Sequence, residues 1–308
     1  MPAMNPREFV DRYNELTSLF LQKFVTEAQN ENLVFSPFSI LSLLSILADA
    51  TGGSTRQEVV DLLYGGLQQQ GFPEQLKTAR EELTRKEEGY YWLDTYEDPY
   101  FGKPIHDQSS HLHTANMVCV REDIRDSIHP GFKKHLKDIY DGVLFSSPEL
   151  KDALLALMSE MMSKDVWPLA EEIVSSESLL SIANTVFFDA MWQYPYEDED
   201  VKMGIFHNAD HTDSRVLMLH NGGGGYVEND FATGFVKSFQ QCSYSFMALL
   251  PREEGRGALQ ELMDSVDFYD LMHHQKHVIL HSMFPEFDVS FKKNLNQIIK
   301  SLEIGRAS

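Results

Sequence analysis

The chain has 308 residues, 43% of them hydrophobic and 24% charged, which is ordinary for a globular protein long enough to bury a sizeable core. Its 47 acidic and 26 basic residues give a formal net charge of -21, which opposes binding to nucleic-acid phosphates and anionic membranes. No segment reaches the length of a membrane span, so neither nucleic acid nor membrane is an expected partner. The acidic surface is either simply solvated or selects basic partners.

Cysteine usage and the N-terminus bear on the compartment. Cys119 and Cys242 have neither disulfide-framework nor zinc-site spacing, and no cofactor is expected. Cys119 lies between two valines, which favours a buried, unreactive thiol. Residues 1–16 are polar where a signal peptide needs an apolar core, so cytoplasmic residence is expected, with an extracellular role left open.

A buried helix is predicted directly after Ser36, preceded by an amphipathic helix over residues 6–28. Ser36 followed by Pro37 predicts a helix start, because the serine hydroxyl accepts a first-turn amide while proline needs no donor there. The segment is apolar on nearly every face, which is typical of a helix inside a large domain. Residues 33–35 before it have the apolar run of a short strand.

Another helix, TRQEVVDLL, is expected next, with Ser54 or Thr55 as its cap. A charged helical region is predicted within residues 68–88. Residues 89–110 have the composition of a long loop. The aromatic residues of that loop either form a binding patch or fold back on the core.

The middle of the chain predicts a second run of strands and helices. A strand is expected over residues 112–120, and a helix with Phe132, Leu136 and Tyr140 on one face follows it. The remaining predicted elements are a short strand to residue 145, helices over 149–170 and 259–272, strands over 246–251 and 284–287, and a helix from 295.

A predicted buried strand over residues 182–188 contains one strongly polar residue, Asn184. An amide in such a position is costly unless it is hydrogen-bonded. Trp192 follows the strand, and the acidic run 197–200 after it is interpreted as a solvated turn. The strand therefore predicts a buried polar contact at Asn184.

Two of these stretches resemble the serpin family of protease inhibitors. Residues 32–40 follow the family pattern N-x-x-F-S-P-x-S-I. In the second stretch, Asn184, Phe188, Trp192 and Pro195 match the pattern N-A-x-x-F-x-G-x-W-x-x-P-F, and Ala190 replaces its glycine. Weaker matches occur in order along nearly the whole chain. The resemblance implies a mixed α/β (α+β) fold, with a large central, mainly antiparallel sheet, flanking helices and smaller sheets, as a single domain over residues 1–308.

The resemblance also implies a set of site residues. In serpins the residues equivalent to Ser36, Ser39 and Asn184 meet beneath the centre of the main sheet, in the region called the shutter. The equivalent of Trp192 lies at the top of that sheet, where it opens. No catalytic residue and no metal ligand is implied.

A complete serpin continues beyond the equivalent of Ser308 through a main-sheet strand, the reactive-centre loop and two further strands. We therefore expect a C-terminally incomplete domain whose reactive-centre bond lies outside this chain and which does not inhibit alone. Sheet edges without their neighbours are templates for strand addition. The expected partners are a target protease once the C-terminal segment is supplied, a complementing C-terminal chain, or further copies of the chain.

Two functions stay open at this point. The first is inhibition of serine or cysteine proteases by suicide loop insertion. The alternative is a non-inhibitory serpin-like binding or structural protein, including a degenerate one. Residues 154–166 favour this alternative, because aliphatic and basic residues there replace the family's I-N-x-W-V and T-x-G-x-I. An enzyme is not expected, since no G-x-S-x-G motif is present. The three histidine groups, at residues 106–113, 207–220 and 273–281, are interpreted as surface histidines rather than a metal site.

Overall fold

The computed structural model of the protein describes most of the chain, which begins with four helices in succession and continues with strands and further helices. The described residues are 4–28, 31–65, 71–84, 111–147, 179–208, 210–240, 244–276, 278–289, 291 and 295–302. The helices are α1 Pro6–Ala28, α2 Pro37–Ala50, α3 Gly53–Tyr64, α4 Phe72–Leu83, α5 Pro130–Tyr140, α6 Arg256–Ser265, α7 Phe268–His273 and α8 Leu295–Ser301. The predicted segments 89–110 and 149–170 lie outside the described residues.

Nine strands in the described part form three sheets of three strands each. The strands are β1 His111–Arg121, β2 Gly142–Ser147, β3 Leu180–Asp189, β4 Val201–His207, β5 Asp213–Gly222, β6 Gly225–Glu228, β7 Ala232–Ser238, β8 Ser245–Pro251 and β9 His281–Pro285. The strand orders are β2-β1-β3, β4-β5-β9 and β6-β7-β8. Strands β1 and β2 are parallel, whereas the pairs β4-β5, β5-β9, β6-β7 and β7-β8 are antiparallel.

The chain divides into two units. Of the described residues, those up to 84, those from 112 to 187 and those after 290 form the first unit, and His111 with those from 188 to 289 form the second. The single-domain expectation over residues 1–308 stays a prediction. No helix in the described part of the chain is long and apolar enough to cross a membrane.

The core of the first unit is built around α2. Its apolar residues are buried on several faces, as its sequence predicts: Phe38, Ile40, Leu41, Leu44, Ile46 and Ala48. Against it pack Phe20 of α1, Leu63 of α3 and Leu136 of α5, each almost fully buried. The apolar stripe of α1 and the predicted helical face of α5 are both confirmed.

Three local predictions are wrong. Residues 33–35 form no strand, and their apolar character is used in the core, where the Phe35 ring packs against Phe24 with the ring centroids 4.9 Å apart. Helix α3 begins earlier than expected, with Gly52 as its N-cap and no side-chain cap from Ser54 or Thr55. The helix predicted over residues 259–272 is two helices, because Val266 leaves the first in an extended conformation and Asp267 accepts the Asp270 amide at 2.9 Å to start α7.

Sheet β6-β7-β8 of the second unit has two different faces. One face packs Val227 and Val236 against Leu271 of α7. The other face carries aromatic rings, since Phe235 on β7 and Phe246 on β8 lie 6.2 Å apart and both contact Phe284 of β9. The aromatic face surrounds the segment that contains Trp192.

Candidate functional site

Ser36 and Ser39 lie at the start of α2, where their first role is local. The Ser36 hydroxyl accepts the backbone amide of Ser39 at 3.2 Å, so the predicted N-cap is confirmed. Both serines are half-buried. Farther along α2, the Ser45 hydroxyl is buried and has no hydrogen-bond partner among the described residues.

Asn184 lies on β3 and contacts polar side chains of the neighbouring strand β1. Its amide nitrogen donates to Asn116 Oδ1 at 2.9 Å and to Thr114 Oγ1 at 3.3 Å. Its own Oδ1 is buried without a hydrogen-bond partner in the described residues. In that part of the chain no hydrogen bond joins Asn184 to Ser36 or Ser39, and the shutter assignment of the three residues stays a prediction.

Asn116 extends this contact into the helical layer. It is 3% exposed and donates its amide to the Tyr140 carbonyl oxygen at 2.8 Å. The Tyr140 hydroxyl in turn donates to Asp49 Oδ2 at 2.8 Å, and His135 Nδ1 lies 2.7 Å from the same oxygen. Burial, together with the Asp49 charge, raises the pKa of Tyr140 well above its usual value. A continuous polar path therefore runs from β3 through β1 to α5 and α2.

Sequence reasoning named Asn116 only as part of a family pattern and missed its role. The signal was present, because Asn116 is a polar amide inside an apolar strand, as Asn184 is. Two such amides on neighbouring strands satisfy each other's desolvation cost when they are in register. Thr114 carried no comparable signal, since threonine is common in strands.

Trp192 lies in the second unit, within the aromatic face described above. Its ring stacks on Phe239 with centroids 4.6 Å apart and meets the edge of Phe246 at 5.5 Å. The backbone forms an isolated bridge between Trp192 and Phe239, supported by Gln193 N donating to the Ser238 carbonyl oxygen at 3.0 Å. Its assignment to the opening of a main sheet stays a prediction.

Cysteine and the possible metal-ligating side chains were the candidates for chemistry in the sequence. The Cys119 thiol is fully buried in β1, which confirms its predicted burial, and burial raises its pKa to about 11. Within the described ranges, no three His, Cys, Asp or Glu side chains lie close enough to hold a metal ion.

The first unit offers a strand edge whose main-chain groups can form hydrogen bonds with an added strand. In the described part of the chain β3 has one strand neighbour, β1, so the other edge of β3 has no strand beside it there. Phe187 near the end of β3 is 55% exposed, although the sequence predicted a buried strand. An edge of this kind accepts an extended segment through main-chain hydrogen bonds.

Sequence comparison places the chain among known proteins. The family profile described as Serpin (serine protease inhibitor) matches residues 11–307. Plasminogen activator inhibitor 1 of Bos taurus is 22% identical over 205 residues, which cover 64% of this chain and 45% of that protein. Serpin-ZX of Arabidopsis thaliana is 22% identical over 323 residues, covering 97% of this chain and 75% of that protein. The chain spans about half the length of several curated relatives it matches.

Solved structures agree on the fold. Native protease nexin-1 with heparin superposes with a TM-score of 0.79 at 18% identity, over 97% of this chain and 79% of that chain. The thermophilic serpin tengpin in its native state gives a TM-score of 0.77 at 20% identity, over 98% of this chain and 73% of that chain. The fold is thus the mixed α/β fold of serpins. Since the family profile covers nearly all of the sequence, the chain belongs to the serpin family of serine protease inhibitors, whose members are not enzymes.

Proposed function

We propose that the chain is the body of a serpin-type inhibitor of serine or cysteine proteases. In this proposal a reactive-centre loop outside these 308 residues is cleaved by the protease and inserts into the main sheet, a transition that releases stored strain. The large, mainly antiparallel central sheet of the family is completed by the same C-terminal segment. That segment either continues the polypeptide or is supplied by a second chain.

One observation carries the proposal: β3 presents an open edge in the described residues beside a buried amide that lacks one partner. The unpaired Oδ1 of Asn184 needs a donor, since an unsatisfied buried acceptor costs about 1–3 kcal/mol. A strand added along β3 brings backbone and side-chain donors to that position. The half-satisfied amide therefore fits a sheet that gains a strand.

A second candidate function rests on a separate observation. Residues 154–166 carry aliphatic and basic side chains where inhibitory serpins show I-N-x-W-V and T-x-G-x-I, as the sequence records. A segment without those signature residues is less suited to the displacement that loop insertion requires. A serpin-like binding or structural protein is the function that this difference favours.

The experiment that separates the two is expression of the chain together with its downstream coding sequence. The full product is incubated with a panel of serine and cysteine proteases and analysed for an SDS-resistant complex. We expect such a complex with an active protease, none with the same protease blocked at its active site, and none with the 308-residue chain alone. A stop codon directly after Ser308 and no complex after adding the C-terminal segment in trans would favour the second function.

Cytoplasmic residence is also proposed, on the polar character of residues 1–16. Microscopy of the tagged full-length product in its own cells tests it, and export of that product would contradict it.

A further inference from the structure

Lys237 is a buried lysine in the aromatic face of the second unit. It lies on β7 directly opposite Phe246 of β8 and is only 5% exposed. Phe235, two residues earlier, shares its face of the strand, where the pattern predicts apolar side chains. Burying the lysine ammonium there costs desolvation free energy, which an apolar side chain would not cost.

Aromatic rings replace part of the lost hydration. Lys237 Nζ lies 3.6 Å from the centroid of the Tyr196 ring and 5.5 Å from that of Trp192. Both distances are within the range in which a cation is attracted by the face of a ring. Among the described residues no carboxylate forms an ion pair with Lys237 within 4.0 Å, so the rings are its close partners.

The titratable groups facing Lys237 in the described part of the chain are Tyr196 and Asp200, both on the segment before β4. Burial lowers the pKa of Lys237, and the Asp200 charge opposes part of that effect. Burial raises the pKa of Tyr196 to about 12, and its hydroxyl has no hydrogen-bond partner in the described residues. Tyr196 is therefore neutral throughout the range in which Lys237 changes its charge.

A lowered lysine pKa fixes the sign of its effect on folding. The unfolded chain holds the Lys237 proton more tightly than the folded chain does, so its contribution to folding stability rises as the pH rises toward the ordinary lysine value of 10.5. Global stability does not require the ammonium. An apolar side chain of similar size at this position is neutral or stabilising.

We propose that Lys237 is a positioning residue whose ammonium clamps Trp192 and Tyr196 over β7. A side chain at position 237 that makes no cation–π contact leaves the segment around Trp192 free, while the rest of the unit stays folded. The clamp acts on two backbone hydrogen bonds of this segment, Gln193 N to the Ser238 carbonyl oxygen and Gln240 N to the Met191 carbonyl oxygen, which are 3.0 and 2.7 Å long. The inference concerns the second unit alone and does not depend on protease inhibition.

Amide hydrogen exchange of Gln193 and Gln240 tests the clamp in the full chain. The internal reference is the Tyr226 amide, which donates to the Lys276 carbonyl oxygen in the other isolated bridge of the described residues. A cation–π contact of ordinary strength predicts exchange about fivefold to thirtyfold faster at Gln193 and Gln240 in Lys237→Met. In that variant the exchange rate of the Tyr226 amide should equal that of the parent, and the urea midpoint of unfolding should be no lower than that of the parent.

Unchanged exchange at Gln193 and Gln240 in Lys237→Met overturns the proposal. Faster exchange at all three amides overturns it as well, because Lys237 would then be a general structural residue. If the variant fails to fold, a second variant decides the matter. In that case Tyr196→Leu, made in the parent, removes the ring nearest to Lys237 Nζ and must raise the ratio of the Gln193 exchange rate to the Tyr226 exchange rate, and an unchanged ratio refutes the clamp.

Discussion

At the scale of single residues, the first unit depends on how buried amides find partners. Asn116 uses its oxygen for Asn184 and its nitrogen for the Tyr140 carbonyl, so both of its polar atoms are hydrogen-bonded. Asn184 is only half satisfied in the described residues, because its Oδ1 lacks a donor. Substitution of Asn116 should therefore destabilise the fold more than substitution of Asn184 does.

We predict that Asn116→Ala lowers the free energy of unfolding by about 1–3 kcal/mol, because it removes the donor to the Tyr140 carbonyl oxygen and the shorter of the two hydrogen bonds of the Asn184 amide. Urea unfolding of Asn116→Ala, Asn184→Ala and the double variant measures the coupling, expected at about 0.5–3 kcal/mol. The control is Asn14→Ala on the exposed side of α1, expected within about 0.5 kcal/mol of the parent. Additive effects of the two core substitutions would show that the amides act independently.

Residue-level prediction from the sequence succeeded where a side chain interacts locally. The Ser36 cap follows from adjacent residues alone, and it is confirmed. The Asn116–Asn184 contact depends on the register of two strands that lie 68 residues apart in sequence, which no local pattern contains. The sequence therefore predicted that the buried Asn184 amide needs a hydrogen-bond partner, but it did not predict that this partner is Asn116.

At the scale of elements, the presence of a helix and its buried face were predicted more accurately than the residues at which it begins and ends. The stripe of α1 and the all-round apolar character of α2 follow from the 3.6-residue period, which determines burial directly. The break between α6 and α7 was missed because Asp267 interrupts a periodic apolar pattern without glycine or proline. The sheet pairings could not be predicted, since strand order is set by tertiary packing rather than by propensity.

The hairpin of β6 and β7 provides a pH-dependent prediction. Hydrogen bonds from Lys276, Tyr226 and Arg252 lower the pKa of Glu228 to about 2 from its ordinary value of 4.5. A lowered carboxyl pKa contributes stability that is present above pH 4.5 and is lost as the pH falls toward 2. Glu228→Gln should therefore flatten the stability profile in that window, with the effect weakening at high salt.

Chemical denaturation of parent and variant at several acidic pH values measures this difference. Glu253→Gln, at an exposed position after β8, is the matched control and should leave the slope unchanged. An equal slope for Glu228→Gln and the parent would mean that the three donors do not hold the carboxylate in solution.

At the scale of the whole molecule, exposed strand edges govern behaviour in solution. In the described residues β3 and β8 are outer strands of their sheets, and Leu250 of β8 is 71% exposed. Unpaired edges with apolar side chains favour pairing with other chains. The net charge of -21 opposes that association, and added salt weakens the opposition.

We predict that the 308-residue chain self-associates in a concentration-dependent manner that increases with salt. Leu250→Lys should weaken the association, because a charge on an outer strand hinders edge pairing. Val10→Lys on α1, where the parent residue is 46% exposed, replaces an exposed apolar side chain away from any strand and should not. Sedimentation velocity over a concentration series checks both, and a monodisperse monomer with a concentration-independent melt would contradict the prediction.

The division of the chain into units has a consequence for biosynthesis. Of the described residues, His111 and those from 188 to 289 belong to the second unit, whereas the first unit is assembled from segments on both sides of residues 188–289. Ile298 of α8 is almost fully buried in the core of the first unit, so that core cannot close until the ribosome has released residues close to 300. The nascent first unit must therefore wait, with α1 to α5 already made, while strands β4 to β9 of the second unit are synthesised.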